Sequence, residues 1–455
     1  MKAKRMVVLI LSLLLILSMV ISCGVPAATP AATSAAATTA ASSAPAETKL
    51  GGTITFWMQK YGNNPEAQQK LLDKIAADFK TKTGVEVKYS IVDWGQALTK
   101  YTLASTGGEA PDVAETFFAY SQVKMGGDQF GPMIIDDIAA DVGTDGFYEF
   151  AKPECYINGH WYALPWRGDT RQVAYNEAHF KEAGITEFPK TFDELIEVGK
   201  KLTKTDANGE ILRSGYTFNV GQARFDQTWF ALLAGFGGMM MDTEYKGFTL
   251  NTDANREALQ FMQDTVYKYN IMPKSCIDPS YDSTNTYAAE KTSIILGATP
   301  DLMSALKNNA PQVAEVTKSA VMPSKTGSGN SSIAFAAPVC VYKTSKNPDA
   351  AKAFLKYFIS KDVQLEAMKT LSLVNVWKGV MEDPYFSDTP WFATLLQQNT
   401  RAQPGDMPLP NWSQIDAFPD GPMNRMCTKT MANNPVQANI DEAIAAIDKI
   451  QAESK

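Results

Sequence analysis

The fold of this chain is decided between residues 53 and 113, which open with Thr53-Ile-Thr-Phe-Trp57 and later contain Val85-Glu-Val-Lys-Tyr-Ser-Ile91. Both runs are rich in β-branched and aromatic residues, which is typical of strands. A helix is predicted between them over residues 66–83, where apolar side chains recur every three to four positions. A second helix and the run Pro111-Asp-Val113 follow. This order of strands and helices is that of a parallel sheet covered by helices.

The same alternation continues through the rest of the chain. Thr191-Phe-Asp-Glu194 is a capping box, which predicts a helix that runs to about Lys201. Residues 203–215 are predicted to form a turn or hairpin, and helices are predicted from Asn347 onward and over about residues 435–452. The sequence therefore predicts an α/β protein.

Length and composition indicate a globular protein of two domains. The chain has 455 residues, 42 Lys and Arg against 49 Asp and Glu, and a formal net charge of −7. This length exceeds what one small core accommodates. An acidic chain lacks the surplus of cations that neutralises nucleic-acid phosphates, so nucleic acid is not an expected partner.

Motifs that carry chemistry are sparse in this sequence. The two histidines, His160 and His179, are predicted to be structural. The sequence holds no phosphate-binding glycine loop, no His-Glu-x-x-His and no Gly-x-Ser-x-Gly. We therefore expect a binding protein and not an enzyme, with no catalytic residue, no metal site and no cofactor.

The first 49 residues are predicted to hold an export signal and a tether. A positively charged start precedes an apolar run over residues 6–21, which is typical of a signal peptide, here residues 1–22. The context Val20-Ile-Ser-Cys-Gly24 is similar to the lipobox of bacterial lipoproteins and predicts lipidation of Cys23, with a plain signal peptide as the alternative. Residues 23–49 are almost wholly Ala, Thr, Ser and Pro, a composition that favours a flexible tether.

The remaining cysteines show no Cys-x-x-Cys spacing, which argues against a zinc or redox role. An exported protein can form one or two disulfides, and scattered cysteines can equally be buried thiols. Both alternatives stay open for Cys155, Cys276, Cys340 and Cys427.

Several motifs in register along the chain resemble a known family, the extracellular solute-binding proteins of ABC importers. The resemblance is to the carbohydrate-binding group that includes maltose-binding protein. The motifs that carry it include Gly107-Gly-Glu-Ala-Pro-Asp-Val113, Asn158-Gly-His-Trp-Tyr-Ala-Leu-Pro165, Val173-Ala-Tyr-Asn176, Pro189-Lys-Thr-Phe-Asp-Glu-Leu195 and Pro410-Asn-Trp-Ser-Gln-Ile415. The chain departs from the family pattern at Ile295–Pro300, which lacks an aromatic residue, and at Ser372–Trp377, which lacks Gly-x-x-Pro.

The resemblance implies two α/β lobes, each a mostly parallel sheet flanked by helices, joined by three hinge crossovers. Lobe 1 would comprise residues 50–166 and 333–375, and lobe 2 residues 167–332 and 376–455. The crossovers would lie near Pro165–Asp169, Ser328–Ser332 and Val374–Lys378. We expect the lobes to close on ligand by a hinge motion.

The resemblance also implies a function and a location. The protein would bind a mono- or oligosaccharide between the lobes and deliver it to a permease powered by a separate ATPase. It would act as a monomer, lipid-anchored to the outer face of the bacterial cytoplasmic membrane, at the cell surface or in the periplasm. The alternatives are an exported carbohydrate-active enzyme, a partner of a membrane sensor, or the same fold with a polyamine, peptide or phosphodiester as ligand.

Ligand-binding residues are predicted from the chemistry of a sugar and from the resemblance. A pyranose has an apolar face, which an aromatic ring covers, and a rim of hydroxyls, which carboxylates, amides and Arg satisfy. In open α/β sheets, ligands lie beyond the carboxyl ends of the strands. The predicted ligand-binding residues are Trp57, Tyr61, Asn63, Asp93, Tyr120, Trp166, Arg167, Asp169, Asp226, Gln227, Trp229 and Trp412.

Two of these residues match family positions: the resemblance implies an acidic contact at Asp169 and a stacking aromatic at Trp412. Three other tryptophans, Trp94, Trp161 and Trp391, are predicted to pack in the core.

Overall fold

The structure of the protein, a computed structural model, describes residues 50–61, 65–116, 119–220, 225–417 and 419–453. These residues belong to one compact unit, Thr48–Lys455. The predicted signal peptide, Cys23 and the tether lie outside them. Within the described ranges, every helix is too short or too polar to cross a bilayer.

Strands and helices alternate along most of the described chain, which confirms the predicted α/β class. The strands are β1 (Thr53–Gln59), β2 (Glu86–Val92), β3 (Val113–Glu115), β4 (Tyr156–Ile157), β5 (His160–Trp161), β6 (Leu164–Thr170), β7 (Gln172–Asn176), β8 (Lys204–Thr205), β9 (Ile211–Arg213), β10 (Thr217–Phe218), β11 (Ile294–Ala298), β12 (Thr317–Ala320), β13 (Ser332–Val341) and β14 (Ala402–Pro404). The helices are α1 (Pro65–Thr83), α2 (Trp94–Gly107), α3 (Ala119–Gly126), α4 (Asp136–Val142), α5 (Glu177–Glu182), α6 (Phe192–Leu202), α7 (Asp226–Gly235), α8 (Asp253–Tyr267), α9 (Ser283–Ala288), α10 (Leu302–Asn309), α11 (Pro311–Val316), α12 (Pro348–Ile359), α13 (Lys361–Leu371), α14 (Lys378–Met381), α15 (Pro384–Ser387), α16 (Pro390–Asn399), α17 (Trp412–Ile415), α18 (Pro422–Met431) and α19 (Val436–Glu453).

The first sheet gathers strands from distant parts of the chain. Its order is β14-β13-β3-β1-β2, and β6 also pairs with β13. The pairs β1–β2, β1–β3 and β13–β14 are parallel, whereas β13 runs antiparallel to β3 and β6. The mostly parallel sheet predicted for the first lobe is therefore present.

The second sheet differs from the prediction. Its order is β10-β11-β7-β12, and only β10–β11 is a parallel pair among the described strands. β7 runs antiparallel to β11 and to β12. The reason is that β6 and β7 carry the chain from the first sheet into the second with Arg171 alone between them, so this passage fixes the direction of β7.

The apolar side chains of β1 and α1 are buried, as expected for these predicted elements. Phe56 of β1 lies 5.2 Å, between ring centroids, from both Phe354 and Phe358 of α12. Each such ring that is fully removed from water contributes about 1.5–3 kcal/mol. The buried stripe of α1 contains Leu71, Leu72, Ile75 and Phe79, as predicted.

Local signals elsewhere are also confirmed. Thr191 Oγ1 accepts from the Glu194 N–H at 3.2 Å, and Glu194 Oε2 accepts from the Thr191 N–H at 3.0 Å, so α6 begins with the predicted capping box. Strands β8 and β9 form the hairpin predicted over residues 203–215. The last helix is α19, within two residues of its predicted bounds.

Hydrogen bonds join the segments that are predicted to be the crossovers. The Gly168 N–H donates to Val374 O at 2.8 Å, and the Arg171 N–H donates to Ile333 O at 3.0 Å. Ser332 Oγ donates to Arg171 O at 2.5 Å. The three predicted crossovers therefore lie side by side.

The cysteines among the described residues are all thiols. Cys155, Cys276, Cys340 and Cys427 are free and buried. Of the two alternatives that the sequence left open, the structure has the buried thiols.

Candidate functional site

A cavity of about 310 Å³ lies where the chain passes between the two sheets. It is lined by Lys60, Tyr61, Trp94, Arg167, Asp169, Thr299, Pro300, Asp301 and Leu373. Most of the lining residues follow β1, β2 and β11 or belong to β6, and Leu373 follows α13. The cavity thus occupies the place beyond strand ends where open α/β sheets bind ligands.

An indole ring forms one wall of this cavity. Trp94 is 47% exposed, and its Nε1–H donates to Lys60 O at 2.7 Å, which fixes the orientation of the ring. The edge of Tyr61 meets Trp94 at a centroid distance of 5.7 Å. Asp93 precedes the ring, accepts from the Gly95 N–H at the start of α2, and lies 4.0 Å from Lys60 Nζ. The result is a flat apolar surface with an anion and a cation at its edge.

Arg167 and Asp169 place charge beside the rings. The Arg167 guanidinium lies 4.6 Å from the Tyr61 ring centroid, and its Nε–H donates to Tyr61 Oη at 2.9 Å. Asp169 lies 3.8 Å from Arg167 Nη1 and accepts from Arg171 Nη1–H. Arg171 also donates to Gln227. The carboxylate of Asp169 is therefore held between two guanidinium groups at the cavity wall.

A buried carboxyl group lies behind the cavity. Glu115, at the end of β3, is fully buried and accepts from the Tyr61 hydroxyl and from the Gln59 N–H at 3.0 Å. Burial raises the pKa of Glu115 to about 7, although Arg167 and the hydrogen bonds oppose that rise. Burial also raises the pKa of Tyr61 well above its ordinary value, so the phenol stays protonated near neutral pH.

The structure brings several predicted site residues together. Tyr61, Arg167 and Asp169 line one cavity. Asp93 lies at its edge beside Lys60, and Gln227 is connected to Asp169 through Arg171. Asn63 lies outside the described residues.

Three predicted tryptophans are fully buried away from the cavity surface: Trp166, Trp229 and Trp412. The Trp229 Nε1–H donates to Asn255 Oδ1 at 2.8 Å, and the Trp412 Nε1–H donates to Asp406 Oδ1 at 3.1 Å. A buried indole whose N–H has a partner is a favourable core residue. That Trp166, Trp229 and Trp412 contact the ligand stays a prediction.

The other predicted residues also lie off the cavity wall. Trp57 is half-buried, with Lys100 Nζ 4.1 Å from its ring centroid. Tyr120 is half-buried near Lys124, and Asp226 is fully buried at the start of α7.

Sequence reasoning missed part of the cavity wall. The expectation that Trp94 packs in the core is wrong, because Trp94 is half exposed in the cavity. Asp93 was selected because ligands lie beyond the ends of strands. Trp94 follows the same strand, so the same argument could have selected Trp94. Pro300 and Asp301 were missed too; the predicted core residue Trp391 fixes this loop through its Nε1–H, which donates to Pro300 O at 2.8 Å.

The charges in the cavity wall are balanced. Lys60 and Arg167 face Asp169 and Asp301, so the wall suits a neutral ligand rich in hydrogen-bonding groups. The described residues contain no cluster of three or more His, Cys, Asp or Glu that could hold a metal ion. His160 and His179 lie away from the cavity and hydrogen bond with Asp136 and Ser293, as expected for structural histidines.

The chain is similar in sequence to known proteins. The family model described as bacterial extracellular solute-binding protein matches residues 62–365. The diacetylchitobiose binding protein DasA of Streptomyces coelicolor is 28% identical over 331 residues, which cover 70% of this chain and 71% of the relative.

Two solved structures show the same fold. The GacH receptor of Streptomyces glaucescens, solved unliganded and with acarbose, matches with a TM-score of 0.72 and 23% identity over 89% of this chain and all of that chain. A solute-binding protein of an ABC transporter from Thermotoga lettingae, bound with α-D-tagatose, matches with a TM-score of 0.72 and 20% identity over 88% of this chain and 99% of that chain. These structures confirm the predicted two-lobe fold class.

Proposed function

The chain belongs to the family of bacterial extracellular solute-binding proteins, and on that premise we propose that it captures a mono- or oligosaccharide in its cavity for an ABC importer. The observation that carries the proposal is the exposed face of Trp94 beside Arg167 and Asp169 in one cavity. The ring would cover the C–H face of a pyranose. The guanidinium and the carboxylate would then hydrogen bond with hydroxyls at its rim.

The size of the cavity and the relatives support a short carbohydrate. A volume of about 310 Å³ is at the small end of ligand pockets, which favours a short carbohydrate over a long chain. The named relatives are binding proteins, one for diacetylchitobiose and one solved with acarbose.

The proposal also covers the location of the protein and its partners. The family is extracellular, so the protein is exported. We propose that Cys23 is lipidated and anchors the protein to the outer face of the cytoplasmic membrane through the tether of residues 23–49. A permease with a separate ATPase would receive the sugar from a monomer. The lobe boundaries 50–166 plus 333–375 and 167–332 plus 376–455 belong to the same proposal.

A thermal-shift screen of the purified protein against carbohydrates, amino acids and polyamines tests the function. A sugar present at 100 times its Kd should stabilise the folded state by about 2.7 kcal/mol, because it binds only that state. Sugar turnover by the purified protein would favour an enzyme instead. The carbohydrate assignment fails if polyamines or amino acids shift the melting curve and no sugar does.

Replacing Trp94 with alanine should weaken binding of the sugar found in that screen by about 5–30-fold. Losing one aromatic contact of this kind costs about 1–2 kcal/mol. The measurement is the Kd by titration calorimetry. Trp94→Phe should retain most of the affinity, and Trp161→Ala, outside the cavity, should retain all of it. Equal affinity of Trp94→Ala and the unaltered protein would exclude stacking on this ring.

A further inference from the structure

Glu115 is a buried acid that the cavity wall does not include. Its side chain ends β3 directly behind the wall, and the residue is 0% exposed. A buried carboxylate is costly unless it is paired and hydrogen bonded. Here Glu115 Oε2 accepts from the Gln59 N–H at 3.0 Å, and Oε1 accepts from the Tyr61 hydroxyl.

Tyr61 connects this acid to the guanidinium in the cavity. Its hydroxyl donates to Glu115, and the same oxygen accepts from Arg167 Nε–H at 2.9 Å. The backbone of Tyr61 is also held, because its N–H donates to Gln68 Oε1 at 2.9 Å, and Gln68 Nε2–H donates to Gln59 O at 2.6 Å. Tyr61 and Arg167 line the cavity, whereas Glu115 reaches it only through them.

We propose that Glu115 is a positioning residue for ligand binding: its ionised carboxylate holds the Tyr61 hydroxyl and, through it, the Arg167 guanidinium in the orientation that a ligand requires. The inference rests on the proposed function of the cavity. It adds that affinity for the ligand depends on pH through a group that the ligand never touches.

The groups around Glu115 determine the direction of that dependence. The titratable and charged groups facing it are Tyr61 after β1, Tyr101 on α2 and Arg167 on β6. Burial holds the pKa of both phenols well above neutrality, and Arg167 stays protonated, so Glu115 is the member of this set that changes charge near pH 7. Protonation weakens the charge-assisted bonds that fix Tyr61. Affinity should therefore be highest above pH 7 and fall as the solution is acidified.

Binding of the sugar identified in the screen, measured by calorimetry between pH 5.5 and 8.5, tests the proposal. In the unaltered protein, Kd should rise about tenfold from pH 8.5 to pH 5.5. Glu115→Gln should bind at every pH about as weakly as the unaltered protein binds at pH 5.5. Glu149→Gln, which changes a surface acid paired with Lys152, should keep the original pH profile.

Two further measurements make every result decisive. Tyr61→Phe removes only the connecting hydroxyl and should also abolish the pH dependence, which covers the case that Glu115→Gln fails to fold. In the ligand-free protein, the Nε–H resonance of Arg167 should titrate near pH 7 and stay constant in Glu115→Gln. A Kd that does not change with pH in the unaltered protein overturns the positioning role. So does an Arg167 resonance whose titration is the same with and without Glu115→Gln. Absence of sugar binding at any pH contradicts the proposed function, and the Arg167 titration still decides the role of Glu115.

Discussion

Replacing Trp412 with alanine should lower the free energy of unfolding by about 3–5 kcal/mol. The residue is fully buried, its ring centroid lies 6.4 Å from that of Phe230, and its Nε1–H donates to Asp406 Oδ1 at 3.1 Å. Truncation removes the largest side chain type from a packed interior and leaves a cavity. Urea denaturation followed by circular dichroism measures the effect.

Trp94→Ala is the matched control for this experiment, since it removes the same side chain from a position that is 47% exposed. Its free energy of unfolding should change by about 1 kcal/mol or less. The two variants should thus differ: Trp412→Ala loses stability, and Trp94→Ala loses ligand affinity. If Trp412→Ala keeps its stability and loses affinity, Trp412 contacts the ligand as the family resemblance implies.

Replacing Arg167 with alanine should destabilise the protein by about 1 kcal/mol more at pH 8 than at pH 5.5, because it leaves the buried Glu115 carboxylate without its cation. Protonation of an acid whose pKa is about 7 limits this charge cost at pH 8 to about 1.4 kcal/mol. Burial raises the pKa of Glu115 to about 7 in the folded protein. The protonated acid therefore contributes stability at low pH, and this contribution is lost as the pH rises from the ordinary pKa of a glutamate toward 7. Without Arg167 the pKa rises further. The cost should therefore be smaller at pH 5.5, where the acid is neutral, than at pH 8.

A double-mutant cycle identifies the source of this cost. In a Glu115→Gln background, Arg167→Ala should destabilise the protein at pH 8 by about 1 kcal/mol less than it does alone, since no buried charge remains. Denaturation of the four proteins at pH 8 gives the coupling. Strictly additive effects would mean that Arg167 stabilises the fold by packing and not by its charge.

Much of the fold could be predicted from the sequence because its signals are local. The β-branched and aromatic run of β1, the helical stripe of α1 and the capping box at Thr191 each involve residues within a few positions of one another. Those choices are made by backbone geometry and by the nearest side chains. The direction of β7 was not predictable in this way, because it depends on how the chain passes from the first sheet into the second.

The candidate site, too, could be predicted from the sequence only in part. The sequence by itself determined that aromatic and charged residues follow the strands, and it placed Tyr61, Arg167 and Asp169 among them. Only the tertiary structure decided that Trp94 faces the cavity while Trp412 packs against Phe230, and that Glu115 meets a tyrosine 54 residues away. The physical reason is that burial and ion pairing depend on which distant segments pack against a side chain, and no local pattern in the sequence records that packing.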